Sequence, residues 1–421
     1  MATEHTSEPA VCAESEVAIV GGGLAGLSCA AVLENNGVEY TILEKSPSIG
    51  GKVATDHIDG FVLDRGFQVY LGHYPMGKRL LDYTKLELRP FYKGLYIDTP
   101  SGSTTLVSDP FSTYLGAKDI RRFISARDII PVFRASVAQA RYPETSTAEI
   151  LRRLRSSSVL RRSIAEPFLR GILLDQELET PIAFTKSIAT FLAREGASLP
   201  ALGMDTIPKY LASQLSGSIH LDAEVVRVGS KGVELSDGRQ IVSRCTVVAT
   251  DARATNQLVP GTIKAVPYRS VGYTYFSASE RPLGHAAVYV PSLHKGPILT
   301  VSVLSDVSVY YAPQGQHLIS VSHRAGASIA DIRTQLGQIF KGQSNSWEDI
   351  ASGVIEEALP AVYGERLRVP IDRQVAANIV LAGDFLETPS INGALASGVN
   401  AARTVMAIVK GGGSTTEPRV K

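Results

Sequence analysis

Cysteine is scarce. The 421-residue chain holds three, Cys12, Cys29 and Cys245, with no CxxC spacing. That excludes a disulfide framework and a cysteine-rich metal site, and it suits a reducing compartment, read here as the cytoplasm. Eight histidines are scattered without an HExxH or a close pair, so no metal is expected. No apolar run reaches the about 18 residues of a membrane-spanning helix, so no transmembrane helix is expected, and peripheral membrane contact stays open. Charge of one sign is missing as well. Forty-two basic side chains against 41 acidic ones leave a net charge of +1, with no global field to attract nucleic acid. What remains is an ordinary globular composition, 44% hydrophobic and 20% charged, able to bury a large core.

Residues 1–15 carry three glutamates and neither Lys nor Arg. They lack the basic start and apolar run of a signal peptide and the arginines of a transit peptide, and read as a disordered arm. Residues 411–421 read as a flexible tail.

The informative stretch is EVAIVGGGLAGLSCAAVLENNGVEYTILEKSPSIGGK, Glu16 to Lys52. Glu16 to Val20 is a short β-branched run of the kind that forms a buried parallel strand. It leads into Gly21-x-Gly23-x-x-Gly26, then a helix with small residues on one side, closed at Asn36-Gly37. A second strand, Glu39 to Leu43, ends at Glu44. Gly21 permits the tight turn, Gly23 the approach of a pyrophosphate, and Gly26 close packing of helix on strand. The helix N-terminus offers free N–H groups to phosphate. Glu44 accepts hydrogen bonds from ribose hydroxyls and repels a 2′-phosphate. Strand, turn, helix and acid in this order predict a dinucleotide-binding βαβ unit without choosing between NAD and FAD. Gly22, in a variable position, is expected to tolerate a small side chain better than Gly21 or Gly23.

The continuation Gly50-Gly51-Lys52 resembles the extended fingerprint of the FAD-dependent amine oxidase, protoporphyrinogen oxidase and phytoene desaturase superfamily. Phe61 to Gly72 (FVLDRGFQVYLG) resembles the family's flavin-proximal segment, and Pro200 to Leu215 the helix that follows later, with Leu202 in place of its first glycine. Ile219 to Val228 looks like the strand whose valine backbone meets adenine, here Val225. Asp237-Gly238 is a hairpin turn whose second arm returns to the nucleotide-binding sheet. Ile379 to Val405 resembles the C-terminal signature, in which Gly383-Asp384 contacts the ribityl chain and a small-residue helix from Gly393 faces the flavin. The resemblance implies non-covalent FAD held by Gly21, Gly23, Leu24, Ala25, Gly26, Glu44, Lys45, Gly51, Lys52, Gly66, Phe67, Gln68, Val225, Gly383, Asp384, Asn392, Gly393 and Ala394. Gln68 and Asn392 are the candidates for tuning the reactive flavin atom, and Arg65 for pairing an acidic group of a substrate or the surroundings of Asp64. No metal is implied.

The implied fold is α/β. A Rossmann-type FAD domain is assembled from residues 16–95, 200–265 and 360–410. An α+β substrate domain comes from 96–199, read as helical, and 266–359, read as strand-rich. Between Arg121 and Arg170 lie 11 arginines, either a membrane-docking face or a solvated helix with partners such as Glu149 and Arg153. The resemblance implies hydride transfer from a substrate C–H to the flavin, with oxygen or a quinone as final acceptor. Ser390 stands where amine oxidases carry an aromatic, which favours desaturation or oxidation of a terpenoid-, carotenoid- or tetrapyrrole-like molecule over amine oxidation. An FAD-dependent isomerase and a non-catalytic flavin-binding protein are the other readings.

Overall fold

The computed structural model describes residues 11–98, 104–108, 143–153, 160–291, 296–363 and 372–411. Two sheets dominate. The first is mixed: Ser218–His220, Tyr40–Leu43, Val11–Val20 and Gln240–Val248 lie side by side in parallel. The parallel strand Ile379–Leu381 joins the far end of Gln240–Val248. The antiparallel pair Gly232–Leu235 and Val225–Gly229 continues the sheet. The turn from Gly232–Leu235 into Gln240–Val248 falls at Asp237-Gly238 as the sequence suggests, with Gly238 at φ +86°. Val17, Ala18 and Ile19 are fully buried, as expected of a strand covered on both faces.

The fingerprint helix (Leu24–Glu34) and the C-terminal helix (Ile391–Val409) cross against this sheet. They approach closely because Gly398 replaces a side chain with space: a Cβ there would lie 2.1 Å from the Ala25 carbonyl oxygen. Ser28 Oγ spans the contact to the Leu395 carbonyl at 3.1 Å.

The second sheet runs in the order Glu348–Pro360, Tyr268–Ala278, His317–His323, Ile298–Val303, Val288–Val290, Gly94–Asp98 and Thr104–Ser108. Phe276, Tyr289, Val301 and Ile319 cover one face together with Ile332, Leu336 and Trp347. The opposite face carries Tyr275, whose ring joins the core of the first layer.

Several expectations need correction. The first strand begins at Val11, not Glu16, because Gln240–Val248 is long enough to pair with residues that the sequence offers as an arm. Residues 96–199 are not purely helical: Gly94–Asp98 and Thr104–Ser108 add two strands to the second sheet. The stretch Ile219 to Val228 is two strands, broken where Asp222 adopts φ +52°. The C-terminal helix starts at Ile391 behind the capping residue Ser390, two residues before Gly393. Most of the arginine-rich segment lies outside the described residues. Of its described members, Arg153 pairs with Glu149 and Arg161 with Glu166. Among the described residues no helix is long and apolar enough to cross a membrane.

Candidate flavin-binding site

The turn after the first strand is set by hydrogen bonds that glycine alone permits. Gly21 N–H donates to the Leu43 carbonyl at 2.8 Å with φ +108°. A Cβ at Gly26 would come within 2.0 Å of the Gly21 carbonyl oxygen, so helix and turn can touch only through glycine. Gly23 caps the fingerprint helix, and no side chain occupies that N-terminus. The first N–H groups of a helix without such a cap are donors awaiting an acceptor.

Glu44 closes the second strand and is buried. Its carboxylate accepts from Gly22 N–H at 2.6 Å and from Ser46 N–H at 2.8 Å. Each oxygen keeps a second lone pair for a hydroxyl. Ala223 N–H donates to the Glu44 carbonyl, which brings Val225 to the same edge. Lys45 is exposed on the turn that follows.

The second glycine pair folds back onto the first. Gly50 N–H donates to Gly22 O at 2.9 Å, and Gly23 and Gly50 form a parallel bridge. A Cβ on Gly23 would meet only the Gly51 Cα, 3.9 Å away. The protein itself leaves that position open, beside an uncapped helix end and a buried carboxylate. The cradle therefore fits a pyrophosphate-linked nucleotide, and the residues present fit FAD.

Lys52 carries the cradle to the other end of the chain. Its Nζ lies 3.0 Å from Asp384 Oδ2 and 4.9 Å from the centre of the Tyr268 ring. Asp384 follows Gly383, whose N–H donates to the buried Ser397 Oγ at 2.9 Å. Ser390 Oγ accepts from Gly393 N–H at 3.0 Å, capping the C-terminal helix, and Ala394 N–H bonds to the Ser390 carbonyl. Asn392 Oδ1 accepts from Met76 N–H at 2.9 Å, tying this helix to the segment after Tyr74.

The Phe61–Gly72 segment lies between the two layers. Gln68 Nε2 donates to the carbonyls of Lys52 and Arg65, at 2.8 and 2.9 Å. Gly66 has φ +80°, and Phe67 sets its ring edge-on to Phe91 at 6.2 Å. Arg65 forms a two-pronged ion pair with Asp56, not with the surroundings of Asp64. Asp64 is instead a buried hub. Its carboxylate accepts from Thr55 Oγ1 (2.6 Å), Met204 N–H (2.9 Å) and Tyr311 Oη (2.8 Å). Tyr275 Oη donates to its carbonyl at 2.6 Å. Burial pushes the Asp64 carboxyl up to about 6, even against those hydrogen bonds. Burial also raises the phenols of Tyr275 and Tyr311.

The structure thus gathers Gly21, Gly23, Gly26, Glu44, Gly51 and Lys52 with Gly383 and Asp384, residues separated by most of the chain. Sequence reasoning missed Tyr268, Ser397, and the tyrosines that hold Asp64. Tyr275 and Tyr311 carry no local signal, because their relation to Asp64 exists only after the second sheet has folded over the first. Ser397 was hidden in a run of small residues.

The comparisons agree with this geometry. Residues 24–406 match the profile described as flavin containing amine oxidoreductase. The chain belongs to that family. The match begins at Leu24, just after Gly21 and Gly23, and takes in Gly26, Glu44, the second glycine pair with Lys52, and the C-terminal signature. A carotenoid 3,4-desaturase from Haloarcula japonica is 33% identical over 93 residues, 20% of this chain and 18% of that one. A coproporphyrinogen III oxidase from Bacillus subtilis is 28% identical over 184 residues, 38% of this chain and 37% of that one. The chain thus spans well under half the length of these two curated relatives. An oxidoreductase of known structure from Methanosarcina mazei superposes with a TM-score of 0.74 at 18% identity, covering 91% of this chain and 99% of that one. This last likeness shows that the fold is shared.

Proposed function

We propose that this protein is an FAD-dependent oxidoreductase that oxidises or desaturates a hydrophobic small molecule, with FAD bound non-covalently. The observation that carries the reading is the meeting of Lys52 and Asp384 beside the Gly23–Gly51 cradle. It joins the pyrophosphate end of a nucleotide site to the segment that would hold the ribityl chain. Bound flavin supplies the chemistry, accepting a hydride equivalent from a substrate C–H. The chain's own residues bind and orient. Glu44 accepts the ribose hydroxyls, and the uncapped helix N-terminus and Lys52 neutralise the pyrophosphate. The C-terminal helix sets its positive end toward the flavin ring. Asp64, through Tyr275 and Tyr311, holds the second sheet over the loop of Gly66 to Gln68, and so shapes a site that excludes water. Gln68 and Asn392 use their side chains to join segments, which supports positioning roles for both.

A hydrophobic substrate is favoured over an amine by Ser390. Its hydroxyl caps the C-terminal helix in the position where amine oxidases place an aromatic ring. The desaturase and coproporphyrinogen oxidase names of the two relatives fit a terpenoid- or tetrapyrrole-like substrate. Oxygen or a quinone would then serve as the final acceptor.

The test is direct. The purified protein is expected to be yellow, to release intact FAD on denaturation, and to lose it in Glu44→Ala. Anaerobic addition of a carotenoid precursor or a porphyrinogen is expected to bleach the visible flavin band. A colourless protein that FAD cannot reconstitute would overturn the cofactor reading. Product formed without net bleaching would replace oxidation with isomerisation.

A further inference from the structure

A guanidinium carries five donors and no lone pair, so an arginine drawn into a cleft calls for an acceptor. Two arginines share such a cleft here. Arg170, on the helix Glu166–Leu173, has its Nε buried without a hydrogen-bond partner. Arg324, just past the strand His317–His323, donates to the Gly296 carbonyl at 2.7 Å. Among the described residues neither pairs with a carboxylate. Both line a narrow cleft between that helix and the start of the strand Ile298–Val303, with Gln176 beside them. Gly296 and Arg324 also line the neighbouring, larger cleft of about 550 Å³.

The wall where the two clefts meet holds a third donor. Gln335 is 2% exposed. Its Oε1 accepts from Ile298 N–H at 2.9 Å, while its Nε2 has no acceptor. The amide lies against Gly296, where a Cβ would come within 2.4 Å of Oε1 and 2.8 Å of Cδ. Gly296 has φ +145°, so glycine serves both the backbone and the close approach. The described walls hold one carboxylate, Asp331. Its Oδ2 already accepts from Ser328 Oγ at 2.7 Å, at the start of the helix Ile329–Ile339.

Buried N–H groups without acceptors are costly, and two guanidinium charges in one cleft repel each other. An anion seated beside Gly296 relieves both costs. Guanidinium N–H groups match two oxygens on one centre better than a single-atom ion. We propose that this cleft binds a small oxyanion, of phosphate or carboxylate type, between Arg170 and Arg324. Among the described residues, none of the flavin cradle lines either cleft. The ion is therefore a separate ligand, independent of what the flavin site oxidises. It fastens helix to sheet. The helix packs on the sheet through Gly171, where a Cβ would lie 3.2 Å from Thr300 Cγ2, and its Leu173 carbonyl accepts from Arg269 at 3.0 Å. The ion adds a second tie from Arg170 to Arg324.

The test is isothermal titration of the full-length protein with sodium phosphate and with sodium succinate, against sodium chloride of equal ionic strength. Saturating FAD keeps the uncapped helix N-terminus at Gly23 from competing. The wild type is expected to bind phosphate or succinate and not chloride, the tighter of the two naming the ligand. Arg170→Gln and Arg324→Gln are each expected to raise the dissociation constant by about tenfold or more, with unchanged circular dichroism. Arg281→Gln removes an arginine at the opposite end of the same sheet and is expected to leave binding as it was. Hydrogen exchange of the wild type needs no variant. The bound ion is expected to slow exchange in Glu166–Leu173 and at Ile298. A protein that takes up no FAD is titrated without it, since phosphate held in the nucleotide cradle ignores both arginines. A wild type that binds neither oxyanion would overturn the proposal. So would binding indifferent to both arginine variants, or exchange in the helix that the ion leaves unchanged.

Discussion

Lys52 Nζ sits 3.0 Å from Asp384 Oδ2, an ion pair between the second glycine motif and the C-terminal signature. The pair is half open to solvent, so by itself it adds little to stability. Its value is geometric, since it brings the two ends of the candidate nucleotide site together. Lys52→Met is therefore expected to weaken FAD binding by roughly 1–3 kcal/mol, the scale of a lost charge-assisted contact, with little change in unfolding temperature. The swapped pair Lys52→Asp/Asp384→Lys can re-form the bridge but presents the wrong charge on each side. Fluorescence titration with FAD should find it as impaired as the single variant. Full recovery would mean that the two residues act only on each other.

Gly22 and Gly23 separate protein stability from cofactor binding. A Cβ on Gly22 would lie 3.1 Å from the Glu44 Cβ and 3.3 Å from its Oε2. Gly22→Ala is expected to destabilise the flavin-free protein by about 1 kcal/mol or more as Glu44 is displaced. Gly23 has an ordinary φ of −76° and open space beside it. Gly23→Ala is expected to leave the flavin-free protein within about 0.5 kcal/mol of wild type, yet to lose FAD, because the methyl group occupies the cradle. Thermal unfolding and flavin occupancy, measured side by side, check both. For the stability of the flavin-free protein this runs against the expectation that Gly22, in a variable position, is the tolerant one of the pair; for flavin binding it agrees with it.

Asp64 predicts a pH dependence. Its folded pKa of about 6 lies above its ordinary value of 3.8, so the folded state holds a proton that the unfolded chain releases first. Between about pH 4 and pH 6 stability then falls as pH rises, and above that its contribution is constant. Asp64→Asn keeps acceptors for Thr55 and Met204 and turns a donor toward the Tyr311 hydroxyl. Relative to wild type it is expected to gain up to roughly 3 kcal/mol on going from pH 4 to pH 8. Urea unfolding at the two pH values measures this, and a difference that does not change with pH would refute it.

Arg269 and Asp175 form a buried pair at 2.7 Å that fastens the turn after the helix Glu166–Leu173 to the second sheet. Asp175 also accepts from Thr180 N–H and Oγ1. Burial lowers the Arg269 pKa, a sign of how costly the charge is there. Asp175→Ala removes the buried ion-pair partner of that guanidinium and is expected to cost about 3–5 kcal/mol. Replacing both partners with apolar residues should cost clearly less. Unfolding of the single and double variants decides the matter.

The first βαβ unit was legible because each part of it is local. A β-branched run, three spaced glycines and a terminal acid must fold in one way to satisfy their own backbone, and the chain between Glu16 and Glu44 does so. The flavin fingerprint and the strand-rich second sheet were legible for the same reason. The errors fall where an edge recruits whatever lies near it. Val11–Ser15 pairs with a strand more than 200 residues later, and Thr104–Ser108 extends a sheet begun elsewhere. No local pattern announces either.

By itself the sequence determined the glycine-rich βαβ motif and the family, since glycine spacing and a strand-ending acid are local features that hold wherever they are placed. Only the tertiary structure decided that Lys52 meets Asp384, that Arg65 turns to Asp56, and that Asp64 is bolted to Tyr275 and Tyr311. Those contacts join segments far apart in the chain. Their partners are chosen by how two sheets pack against each other, a relation that no window of sequence contains.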